Sequence, residues 1–327
     1  MPLDDHPNPR TTPARPAVQD RASEDAPFTR RDLLVYAVTV LSWSASWYAL
    51  KINAAFSVSA PVTTCYRFAL AAVLMFLLVG VRGGPLRFGW RRHLSFVLLG
   101  TFLFSTSFVL FYHASTMLVS GLLAVVFSLA SVLNLVIGAV RGDLAGPRRW
   151  FGAALGATGI VLLYLPAFGE GGGGAVGLAF CVAGTLVFCI GNQISQALGR
   201  RDVPVMSASA WGMAYGALWC AVLALAGGYP FVYDPAPAYT VSLLFLSIVS
   251  TVVAFWAYLN LVRSIGAARA SYATVMFPVF ALLLSTVVEG YAWTGLAVLG
   301  VVLALAGNLF VLRSAHRRDA EVPVPTV

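Results

Sequence analysis

Arg67 is the one arginine that falls inside an apolar stretch of this chain rather than beside one. A guanidinium always carries its charge and offers five donors in a planar fork. At the centre of a membrane helix such a group costs roughly 2.5–3.5 kcal/mol on insertion scales. Arg67 lies six residues beyond Pro61, shallower than the centre. Two readings stay open: the side chain snorkels to the nearer surface, or it faces an internal cavity and holds a carboxylate. Asn192, Gln193 and Gln196 form a second polar group inside an apolar stretch. Three amides on one helix need partners, which a water-filled cavity supplies.

Other stretches carry polar or aromatic residues at helical spacing. Thr39, Ser42, Trp43, Ser46, Trp47 and Lys51 share one face, and Thr101, Ser105, Phe108 and Tyr112 another. Ser120, Phe127, Ser131 and Asn134 follow, then Ser247, Ser250, Thr251, Ala254 and Tyr258, then Thr274, Pro278 and Ser285. Stripes of this kind face the interior of a bundle. For the small hydroxylated positions, close helix packing explains the pattern as well as a solute does. The candidate cavity set is Trp43, Ser46, Trp47, Arg67, Ser105, Tyr112, Asn134, Asn192, Gln193, Gln196, Thr251 and Tyr258. Lys51, at a helix tip, is expected to snorkel. Glu289, like Asp143, suits a gate or a loop, and Pro278 a hinge, because proline removes a backbone hydrogen bond.

This chemistry is recognition rather than bond-breaking. There is no deep acidic pair, no G-x-S-x-G and no H-E-x-x-H. His113 could titrate but has no evident catalytic partner. Cys65, Cys181, Cys189 and Cys220 all lie in apolar stretches without metal-ligand spacing, and read as small packing residues. Neither metal nor cofactor is expected.

The elements that must position these residues are membrane helices. Of 327 residues 59% are apolar and only 10% charged, and the mean hydropathy is +0.82. A soluble domain of this size needs far more charge to cover its surface. The net charge of +8 is distributed in short connections rather than on one face, which argues against a nucleic-acid partner and for topology and anionic lipid. Ten apolar segments approach the ~20 residues needed to span a bilayer: 32–51, 61–81, 94–112, 118–140, 149–167, 177–198, 207–228, 240–262, 271–289 and 292–313. Apart from Lys51, every second connection lacks Lys and Arg. Basic residues mark the cytoplasmic side, so both termini are expected there. Residues 1–31 read as a disordered cytoplasmic tail and 314–327 as a second one. Gly171 to Gly174 sit in a linker at 168–176, between five-helix halves at 32–167 and 177–313.

The halves resemble each other. Ser131-Val132 corresponds to Pro278-Val279, Asp143 to Glu289, and Gly152 and Gly159 to Gly300 and Gly307. Five is odd, so the second copy must be inverted. Gly152-x-x-x-Gly156 and Gly300-x-x-x-Ala304 suit tight scaffold packing or homodimer contacts.

Together these residues resemble the EamA family of the drug/metabolite transporter superfamily. The cues are Trp43-x-x-x-Trp47-x-x-x-Lys51, Pro61 followed by Arg67-Phe68, Gly121-Leu-Leu-Ala-Val-Val-Phe-Ser-Leu, and Gly266-Ala-Ala-Arg269-Ala-Ser271 leading to Pro278-Val279. Ser131 stands where the family commonly has proline, and Asp143 where it has glutamate. The resemblance implies an all-α integral membrane fold of ten helices in two inverted repeats, in a bacterial inner membrane. It also implies a carrier, often an exporter of amino acids or related small metabolites, with a central cavity between the first four helices of each repeat. A non-transporting receptor or scaffold is the alternative, and an intramembrane enzyme the most remote one.

Overall fold

A computed structural model of the chain describes residues 29–142, 145–165 and 173–321. Within them the chain is helical throughout: α1 (Arg30–Ala54), α2 (Ala60–Val81), α3 (Trp90–Ser115), α4 (Ser120–Val140), α5 (Pro147–Tyr164), α6 (Gly173–Gly199), α7 (Val205–Ala226), α8 (Pro237–Gly266), α9 (Ala273–Val288) and α10 (Gly295–Glu321). Eight of these, all but α5 and α10, are long and apolar enough to cross a membrane, and Gly295–Val311 of α10 is a shorter apolar segment. The paired Arg148 and Arg149 lower the apolar character of α5 at its start.

Local sequence accounts for several boundaries. Thr29 and Asp32 form a reciprocal capping box that starts α1. Prolines occupy the first turns of α2, α5 and α8, where a missing N–H is tolerated. Gly266 takes φ +82° and separates α8 from α9, a conformation that a side chain disfavours. Two expected boundaries move. The proposed linker 168–176 is helical from Gly173, and its remainder lies outside the described residues, as does Asp143. The proposed tail from 314 continues α10 to Glu321, since no Gly or Pro interrupts it before Pro323.

The helices pack in an interchangeable pattern. α5 lies along α10, α2 along α7, and α4 along α9. α1 rests on α8 and α9, just as α6 rests on α3 and α4. Exchanging each helix for the one five places on leaves this pattern unchanged, which is a two-fold relation between halves. Each half holds an odd number of helices joined by short connections, so the axis lies in the membrane plane and the halves are inverted. Leu77, Leu94, Leu218, Val287 and Val302 point outward, as lipid contact requires.

Small residues set the closest contacts. A Cβ at Gly300 would sit 2.6 Å from the Gly159 carbonyl oxygen and 2.8 Å from the Leu163 nitrogen. Gly152 and Gly307 face the same α5–α10 seam. The glycine stripes expected for scaffold or homodimer contacts therefore meet one another inside the chain, which removes them as a dimer surface. The third helix of each half also widens into a π-helical segment, Phe102–Thr106 in α3 and Phe245–Val253 in α8. Nothing in the hydrophobic pattern announces these segments, which recur at functional sites.

Candidate functional site

The bundle has an arginine-rich end and an arginine-poor end, and they are tied differently. At the arginine-poor end, Lys51 Nζ on α1 lies 2.7 Å from Glu289 Oε1, just past α9. The same carboxylate accepts from the Ser120 backbone N–H at 3.0 and 3.2 Å and from the Ser120 hydroxyl at the start of α4. One carboxylate thus joins three helices. Lys51 was expected to snorkel alone; folding instead supplies a counter-ion from the other half of the chain. Burial by itself would raise the Glu289 carboxyl, but hydrogen bonds from Lys51 and Ser120 and the lysine charge outweigh it and hold it below its ordinary value.

Beside this ion pair lies a buried neutral network. Asn53 Oδ1 accepts from the Thr63 hydroxyl at 2.5 Å and the Tyr112 hydroxyl at 3.1 Å. Asn53 Nδ2 donates to the Tyr239 carbonyl at 3.3 Å and to Ser242 Oγ at 3.1 Å, while Tyr239 Oη donates to Thr63 Oγ1 at 3.1 Å. Four helices, α1, α2, α3 and α8, are joined by side chains with no exposed surface to speak of. Of these residues only Tyr112 was foreseen. Asn53 was missed because the first span was ended at residue 51, two positions short. The buried amide in a last helical turn was the available signal.

Different side chains tie the arginine-rich end. Gln193 Nε2 donates to Asn134 Oδ1 at 3.0 Å, and Gln193 Oε1 accepts from Arg141 Nη1 at 3.1 Å. His93 and Tyr215 share a 2.9 Å hydrogen bond between α3 and α7. A cavity of about 200 Å³ opens beside Gln193, Arg141, Ser95 and Arg201. Helix α4 also differs along its length. Ser120 to Val126 are fully buried, whereas from Leu129 to Val140 only Leu135 is. The helix breaks between those halves, at Ser128-Leu129.

Between the ends, aromatic rings cross the bundle. Trp43 meets Tyr258 at 5.2 Å and Phe277 at 6.3 Å between ring centroids. Phe127 touches Trp47, Phe188 and Phe277 at 5.4, 4.9 and 6.0 Å. Trp43 and Tyr258 keep partial exposure, whereas Trp47 is buried against Phe111 and Phe127 and belongs to the packed core. Arg67 is buried on α2, with its Cζ 4.5 Å from the Phe108 ring centroid and 5.1 Å from that of Phe68. Its Nη2 donates to Thr251 Oγ1 at 3.3 Å. It does not snorkel.

The remaining candidates divide. Ser105 is buried and its hydroxyl donates to the Thr101 carbonyl one turn back. Ser46 donates likewise to the Trp43 carbonyl. Asn192 and Gln193 are half-buried, and Gln196 is exposed. Pro278 is buried six residues into α9, nearer the helix start than the middle, and Ser44 on α1 donates to the adjacent Phe277 carbonyl. His113 is exposed beside Phe180. Among the described residues no cluster of His, Cys, Asp and Glu could hold a metal.

Comparison with known proteins agrees with this architecture. The model of the EamA-like transporter family matches twice, over residues 31–165 and 175–313. A protein of Archaeoglobus fulgidus described as an uncharacterized transporter is 25% identical over 287 residues, 86% of this chain and 98% of its own length. The uncharacterized inner membrane transporter YedA of Escherichia coli is 24% identical over 275 residues, 81% of this chain and 88% of its own. A solved crystal structure shares the fold with a TM-score of 0.60 at 19% identity, covering 89% of this chain and 98% of that one.

Proposed function

The chain belongs to the EamA-like transporter family of the drug/metabolite transporter superfamily and is a multi-pass membrane transporter, and from that premise we propose that it moves a small metabolite by alternating access between its inverted halves. The observation that carries this reading is the contrast between a symmetric scaffold and asymmetric ends. Helices exchange roles across the two-fold relation, yet the arginine-poor end is locked by an ion pair and a buried network, while the described ties at the arginine-rich end are of another kind and include an amide relay and the His93–Tyr215 and Trp211–Leu86 hydrogen bonds. Exchanging which end is locked is what an inverted-repeat carrier does.

The arginine bias supports an orientation with the rich end and both termini in the cytoplasm. The lock then faces outward, and the cavity beside Gln193 opens inward. A bacterial inner membrane is the location we favour, and the name of the Escherichia coli relative supports it. Export of amino acids or related metabolites is the direction and class we favour. The substrate path runs from Gln193, Asn134, Asn192 and Gln196 past Trp43 and Tyr258 to Arg67 and Thr251, with Tyr112, Ser105 and Ser46 along its wall and Trp47 behind it. Glu289 serves as the outer gate and Pro278 as a hinge. The two five-helix units, 32–167 and 177–313, are the rocking bodies.

Reconstitution tests the reading. Protein in liposomes preloaded with a metabolite mixture should show saturable counterflow of at least one labelled amino acid or organic acid. Folded protein that binds such compounds but moves none would instead favour the receptor reading.

A further inference from the structure

The interior of the bundle contains a cation without an anion. Arg67 is 96% buried by the measure of its 4% exposure, and a guanidinium stays protonated in any protein environment. The guanidinium reaches Thr251 and lies beside the Tyr112 hydroxyl, while Nε and Nη1 are buried with no partner at full hydrogen-bond geometry. Among the described residues no carboxylate pairs with it: Asp32 lies in the first turn of α1, Asp202 and Asp234 lie in connections, Asp319 and Glu321 lie at the end of α10, and Glu289 is engaged by Lys51 and Ser120. Two aromatic faces, Phe68 and Phe108, offset part of the charge. They cannot accept the in-plane N–H groups of Nε and Nη1.

The surroundings are shaped in a particular way. Thr251 sits in the π segment of α8, where its hydroxyl donates to the Leu246 carbonyl five residues back at 2.7 Å and still accepts from Arg67. Phe108 follows the matching π segment of α3 by two residues. Both widened helices therefore converge on one guanidinium. A buried donor pair left unsatisfied costs the folded state its full desolvation, so a group that completes it in part of the transport cycle stabilises that part. A planar carboxylate fits, because it takes two parallel N–H bonds along one edge of the guanidinium, from Nη1 or from Nε, in either case together with the second hydrogen of Nη2, whose other hydrogen goes to Thr251.

We propose that Arg67 is the anion-binding group of the transport site, and that the substrates are organic acids whose carboxylate completes its hydrogen bonding while their apolar part lies against Phe68 and Phe108. This rests on the alternating-access reading and narrows it. Amino acids qualify through their carboxylate alone, since no described acidic side chain is placed to receive their ammonium. Purely cationic compounds do not qualify.

The test uses the full chain in liposomes with matched probes: phenylacetate and phenylalanine against their amides, with sodium chloride as an inorganic control. Wild-type protein should take up each acid at least about 10-fold faster than its amide, the factor that loss of a charge-assisted hydrogen bond brings. Arg67→Gln should bring that ratio close to one, and Arg67→Lys should retain part of it. Should Arg67→Gln fail to fold, melting curves of the wild-type protein give the same comparison: the acids raise the transition temperature and the amides and chloride do not. Equal flux of acid and amide, an acid preference surviving in Arg67→Gln, or equal protection by chloride would overturn the assignment. Flux of amides alone would sink the Arg67 site and leave the transport reading standing. Protection by acids with no flux of any probe would do the reverse.

Discussion

Replacing Gly300 by alanine adds one methyl group where α10 meets α5, and the consequence can be worked from the coordinates. The new Cβ would lie 2.6 Å from the Gly159 oxygen, 2.8 Å from the Leu163 nitrogen and 3.1 Å from the Leu163 Cα. All three are backbone atoms, so no side chain can swing aside. Restoring an ordinary 3.4 Å contact requires the helices to part by about 0.8 Å at that point. A gap of that size forfeits roughly a quarter to a half of each dispersion contact nearby, and over-packing of this kind typically costs about 1–3 kcal/mol. Alanine returns up to about 1 kcal/mol through helix propensity, leaving a net loss of about 1–2 kcal/mol. Gly80 is the control. It lies within α2 with nothing within 4 Å of its would-be Cβ, so Gly80→Ala should be neutral or stabilising. Reversible unfolding in mixed micelles, titrated with denaturing detergent, reads both variants. If Gly300→Ala proves as stable as Gly80→Ala, the α5–α10 seam is not the close contact described, and the intramolecular use of the glycine stripes fails with it.

Other expectations follow from the site. Glu289→Gln should loosen the arginine-poor end, seen as a longer distance between spin labels at Thr116 and Ala292 in a background with the native cysteines replaced. The same lock has a pH signature: a carboxyl held below its ordinary 4.5 when folded contributes stability above that value and loses it as pH falls through the depressed folded value. The label distance should therefore be constant around neutrality and lengthen only in acid below about pH 4.5; lengthening between pH 6 and 8 would rule the lock out. Trp47→Ala should destabilise by about 3 kcal/mol or more, as loss of a buried aromatic does, whereas Trp43→Ala should lower substrate affinity with a smaller change in stability. Tyr112→Phe removes a hydroxyl from buried Asn53 and should cost about 1–2 kcal/mol in unfolding free energy, without abolishing flux.

Much of the architecture was legible because it rests on local composition. A bilayer forces backbone groups to pair within a segment, so apolar length alone located the helices. Alternation of arginines separated the two ends, and odd repeat number implied inversion. The site was less legible. Lys51 looked like a snorkelling end-group because its partner lies in the other half of the chain. Asn53 fell outside a span drawn by hydropathy, since a buried amide lowers the average that defines the span. Gln196, grouped with Asn192 and Gln193 by spacing, turned out exposed at the helix end.

What the sequence determined by itself is therefore whatever a single helix must satisfy: length, apolar surface, capping, the sign of charge in its connections, and the presence of an arginine that lipid would not tolerate. Pairing was decided only by the fold. Whether Arg67 faced lipid or protein, which hydroxyl met Asn53, and that Glu289 would bridge Lys51 and Ser120 depend on which helices become neighbours. Neighbours are chosen by the glycine seams and the two-fold packing of ten helices together, a long-range condition that no local pattern contains.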